Sequence, residues 1–112
     1  MKDFLFVFRA EPTSQEPSPE ARKDLDKKWM DWIGDIAAQN RLKDVGNRLH
    51  KAGKVVKGQQ VVTDGPYSEM KEVVGGYTMV RAASEEEAVK LAHGCPIFLV
   101  GGNVEVREIN PM

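Results

Sequence analysis

Five consecutive apolar residues near the N-terminus, Phe4-Leu5-Phe6-Val7-Phe8, constrain this chain more than any other stretch. The run is far too short to span a bilayer, and its flanking charges and alternation fit a strand over Lys2–Arg9 rather than a signal peptide. Successive strand side chains point to opposite faces, so the three phenylalanines take one face and Leu5 and Val7 the other. A strand apolar on both faces needs a cover on each. Two helices from a chain of 112 residues cover one face readily, and a second copy of the chain is the cheapest cover for the other. A homodimer is therefore expected.

The remaining elements follow from local signals. Ala10 to Ser18 is polar with two prolines, which reads as a loop. Ser18 can cap a helix, Pro19 suits its first position and Glu20 complements its positive end. Leu25, Trp29, Trp32, Ile33 and Ile36 then recur at helical spacing and form one stripe, the place where tryptophans pack against a sheet. Leu42 to Leu49 reads as a weaker strand broken by Gly46, at a sheet edge. Lys51 to Gln59 reads as a hairpin or loop, Gln60 to Thr63 as a short strand, and Val73 to Arg81 as a second strong strand. Ser84 with Glu87 makes a capping box for a second helix, whose stripe is Ala88, Leu91, Ala92 and Cys95 and whose end is marked by Gly94 and Pro96. Asn103 to Ile109 alternates as a final strand. The order, with a small extra hairpin, is that of a ferredoxin-like α+β fold, βαββαβ with an antiparallel sheet, in a single domain over residues 1–112.

Composition excludes several partners. With a formal net charge of −1 the chain lacks the basic footprint of a nucleic-acid binder. No stretch approaches a membrane span. The single Cys95 fits a reducing compartment, so a cytoplasmic location is expected. Two histidines and one cysteine in unrelated settings make no metal-ligand pattern, and phosphate-binding glycine loops are missing, so no metal and no cofactor are expected.

Polar chemistry concentrates between Val61 and Arg81. Asp64 precedes a Gly65-Pro66-Tyr67 turn stiffened by the proline; its carboxylate suits a base or ligand anchor, or equally a partner for the turn's own amides. Glu72 is suited to proton transfer if a barrel interior desolvates it, and is an ordinary solvated partner of a cation if not. Gly75 and Gly76 interrupt a strand, which means a bulge or the close approach of another backbone or a ligand. Tyr77 offers a phenol that orients a ligand or bonds a core carbonyl. Elsewhere, His93 sits on the last turn of the second helix, where it suits a general acid or a capping cation. Cys95 falls on the buried stripe at a helix C-terminus, a poor place for a thiolate.

The combination of TDGPY, Lys71-Glu72, Gly75-Gly76-Tyr77, an acidic helix start, Cys95-Pro96 and a closing VEVREI resembles the YCII-related family and, more narrowly, its DGPF-motif subgroup, with Tyr67 in place of phenylalanine. The likeness covers nearly the whole chain. It implies a dimeric α+β barrel in which two ferredoxin-like units pack sheet to sheet. Members of the broader family are suspected enzymes because of a His–Asp pair, the His near the start of the first helix and the Asp in a D-P pair after the second. Here the first helix begins SPEARKDLDKK and the second position is Cys95-Pro96, so neither group is kept. Two functions follow from this reading. One is a protein that binds a small organic ligand in a barrel pocket, with Asp64, Glu72 and His93 as candidate acid–base groups and Tyr67, Gly75, Gly76 and Tyr77 as candidate ligand contacts. The other is a non-catalytic regulatory or interaction dimer, since family members also occur fused to transcription sigma factors.

Overall fold

A computed structural model of the chain describes residues 1–11, 17–59, 61–65 and 73–111. The phenylalanine run lies in β1 (Lys2–Ala10), a central strand. It is followed by α1 (Pro19–Ala38), β2 (Leu42–Arg48), β3 (Gly53–Lys57), β4 (Val61–Gly65), β5 (Val73–Ala82), α2 (Glu85–Ala92) and β6 (Asn103–Glu108). A 3₁₀ turn over Pro96–Val100 links α2 to β6. Four strands form an antiparallel sheet in the order β2-β5-β1-β6, the ferredoxin-like arrangement. Among the described residues β3 and β4 pair only with each other, Gly53 opposite Gly65 and Lys57 opposite Val61. No helix among the described residues is long and apolar enough to cross a membrane.

The helix starts are built as their sequences dictate. The Ser18 hydroxyl accepts from the Ala21 amide at 3.2 Å, with Pro19 at the first helical position. Ser84 accepts from the Glu87 amide at 3.2 Å, while the Glu87 carboxylate turns to Arg41 at 2.6 Å. Glu87 thus ties α2 to the start of β2. α1 buries Trp32 and Ile36 against the sheet, and α2 buries Ala88 and Ala92. Small residues on α2 let it sit close to Phe4, Val80 and Ala82 in one core.

Both helices lie on the face formed by Phe4, Phe6 and Phe8, all of them buried. The opposite face is fixed by the same alternation and register. Leu5 stands opposite Met79 and Arg107, and Val7 stands opposite Tyr77 and Glu105. Leu5, Val7, Tyr77 and Met79 are only partly buried on this face.

The two interior glycines of β5 have different tasks. Pairing with β1 slips between Phe8 and Arg9, which face Gly76 and Val74, so Gly75 is the extra residue of a bulge. A Cβ on Gly75 would meet nothing nearer than 4.0 Å. A Cβ on Gly76 would stand 2.9 Å from the Asn47 carbonyl oxygen, so this glycine admits β2. On the other side Gly46, at φ +74°, curls β2 against the Tyr77 backbone, where a Cβ would stand 1.8 Å from the carbonyl oxygen. Substitution should separate these roles. Gly76→Ala is expected to cost ~1–3 kcal/mol by overpacking, whereas Gly75→Ala stays within ~1 kcal/mol of wild type, read as denaturation midpoints. Equal losses in the two variants would refute the close approach at Gly76.

Candidate functional site

The kinked β2 leaves the sheet edge open near the N-terminal half of α1. A cleft of about 480 Å³ lies there. Phe8, Trp29 and Ile33 give it apolar walls, and Gly75 and Gly76 belong to its sheet side. The Phe8 and Trp29 rings meet edge to face with centroids 4.9 Å apart, which fixes one end of the floor. The bulge removes side-chain bulk where the cleft meets β5.

The rim is polar and charged. Arg22 Nε lies 3.4 Å from Asp26 Oδ1, one helical turn apart on α1. Arg48 at the end of β2 reaches the same oxygen, with Nη2 at 3.3 Å. One carboxylate therefore holds two guanidinium groups. Asn47 Nδ2 donates to the Tyr77 hydroxyl at 3.2 Å, tying β2 to β5. Tyr77 lines the cleft, while its register opposite Val7 puts its ring on the sheet face away from the phenylalanines. Thr78, almost wholly buried, donates its hydroxyl to the Val45 carbonyl at 2.9 Å and so anchors the bent segment of β2.

Gly75, Gly76 and Tyr77 are thus neighbours on one cleft. Asp64 lies in β4, its backbone opposite Lys54 in the separate hairpin. Tyr67 and Glu72, together with the Pro66 turn, lie outside the described residues. His93 is exposed and caps the C-terminus of α2, its amide donating to the Val89 carbonyl at 3.1 Å. It lines a second depression, of about 490 Å³, with Lys28, Asp31, Asp35 and Phe98, separate from the one at Tyr77. Among the described residues no group of three His, Cys, Asp or Glu side chains is placed to hold a metal ion.

Three rim residues gave no signal in the chain. Arg22 and Asp26 are adjacent only through the helical repeat, and Arg48 joins them across 22 positions of sequence because β2 folds back beside α1. Trp29, read as core, is only partly buried and doubles as cleft wall. Trp32 is the true core member. Its indole donates to the Leu91 carbonyl at 2.9 Å, which locks α1 to the end of α2. A Cβ on Gly94 would press on that indole at 3.1 Å.

The model of the YCII-related domain matches residues 3–112, so the chain belongs to the YCII-related family. No curated protein matches it.

Cys95 lies in the core beside these groups, 3% exposed. Burial pushes its thiol up to about 12, partly offset by the Ile97 backbone hydrogen bond. Its stabilising share is therefore complete below the ordinary thiol value of 9.0 and is lost as pH rises towards 12. At pH 8 the native thiol is expected to react with an aromatic disulfide reagent about a thousandfold more slowly than the unfolded chain, from ionisation alone. Rapid labelling of the native protein would contradict its burial.

Proposed function

We propose that this protein is a DGPF-type member of its family that binds a small organic molecule in the cleft between α1 and the sheet, and that it works as a cytoplasmic homodimer. The observation that carries the reading is the cleft itself. Its volume falls within the ~300–1,000 Å³ usual for small-molecule sites, and it combines apolar walls with a few fixed polar groups. Gly75, Gly76 and Tyr77 are its proposed sheet-side contacts, with Tyr67 as a further one from the motif. Asp64, Glu72 and His93 are the candidate acid–base groups.

The proposed dimer rests on the bare face of the sheet. Leu5, Val7, Tyr77 and Met79 are only partly buried there, and a second sheet laid against them would complete a barrel. The β3–β4 hairpin gives independent support. A two-stranded hairpin alone is marginal in water, and Val56 on it is 65% exposed. A partner chain offers it a surface. Sedimentation at micromolar concentration is expected to show a dimer; monomer alone would refute the assembly and the two-sided burial behind it.

A regulatory dimer without catalysis is the second reading. It is favoured by the helix start SPEARKDLDKK, which lacks the family histidine, and by the separation of His93 from Tyr77. The two readings part on experiment. A screen of small metabolites by thermal unfolding is expected to find compounds that raise the midpoint, since a ligand at 100 times its Kd adds ~2.7 kcal/mol. No stabilising compound would remove the ligand-binding reading. A turnover abolished by Glu72→Gln or His93→Ala in a folded protein would instead establish an enzyme.

A further inference from the structure

Two arginines share one aspartate at the mouth of an apolar cleft, and this arrangement selects a ligand charge. Asp26 can neutralise only one of them, so among the described residues the cluster carries a formal surplus of one positive charge. Lys51 and Glu11 also line the cleft, one residue of each sign. Each guanidinium carries five N–H donors in a planar fork, and each is seen to spend one on Asp26. The side chain of Arg48 is 65% exposed and that of Arg22 40% exposed, so their remaining edges face solvent at the opening. Behind them the walls are Phe8, Trp29 and Ile33, with no charge among them.

We infer that the cleft takes a small aromatic monocarboxylate, its carboxylate held by Arg22 and Arg48 and its ring laid against Trp29 and Phe8. This deepens the ligand-binding reading above and rests on it. An arginine fork matches the two oxygens of a carboxylate, and the single surplus charge matches a monoanion. Asp26 has a defined part in this. It holds both side chains at the rim in the free protein, so the ligand meets guanidinium groups already in place. Gly75 sets the depth. Its missing side chain leaves open space, and a larger residue there would occupy the ring's position without striking the backbone.

The test compares phenylacetate with its neutral isostere phenylacetamide on the full chain, by amide chemical shifts of Gly75 and Gly76 and by tryptophan fluorescence. Phenylacetate is expected to bind at least about tenfold more tightly than the amide. Arg48→Gln and Arg22→Gln, both at exposed positions, should bring its affinity down to that of the amide, and Arg48→Lys should restore part of the loss. Gly75→Leu should abolish binding of both probes while leaving the fold intact. Equal affinity for acid and amide, unmoved by either arginine variant, would overturn the carboxylate assignment and leave the cleft as a neutral-ligand site. Absence of any shift at the Gly75 and Gly76 amides with either probe at about 10 mM, the weak end of fragment binding, would overturn the cleft reading together with it.

Discussion

Four aromatic rings hold this molecule together. Phe6 stacks on Trp32 at 6.1 Å, Phe8 meets Trp29 and Trp32 edge-on, and the two indoles meet each other at 5.6 Å. Burying a phenylalanine contributes ~1.5–3 kcal/mol, and each well-oriented ring pair adds ~0.5–1.5 kcal/mol. The surface ion pairs, such as Lys28–Asp24 and Lys2–Glu108, contribute ~0–1 kcal/mol each. The ring cluster therefore decides how α1 lies on the sheet, and the ion pairs trim the result.

The cleft is a consequence of that placement. Trp32 is pinned deep by its bond to the Leu91 carbonyl, while Trp29, one turn earlier, is left at the boundary of the core. Where α1 passes beyond the end of this packing, β2 is bent by Gly46 and the β5 bulge removes a side chain at Gly75. Core and site share one wall. A change to Trp29 acts on both stability and the cleft, whereas changes at Arg22 or Arg48 act on the rim alone.

The sheet has two unlike faces for the same reason. Both helices pack on the phenylalanine face, where α2 buries Ala88 and Ala92. The bare face carries Leu5, Val7 and Met79 bordered by charges, among them Arg9 paired with Glu105 at 2.9 Å. Among the described residues Arg9 Nε is buried there without a hydrogen-bond partner, which costs ~1–3 kcal/mol.

Local sequence determined most of the fold. Ser18-Pro19 and Ser84 fix where the helices begin, because capping is a contact within three residues. The alternation in β1 fixes which side chains meet the helices, and the order of elements follows from periods of 2 and 3.6. The hairpin over Gly53–Lys57 and Val61–Gly65 was half legible, since its glycines mark a turn but not its separation from the main sheet. Of the candidate site, the glycine pair was visible as an interruption, yet only the register divides it into a bulge at Gly75 and a backbone approach at Gly76. The meeting of Arg22, Asp26 and Arg48 belongs wholly to tertiary structure. No local rule joins a helix turn to a strand end, and it takes the bend of β2 over Gly46 to bring the two cations to one carboxylate.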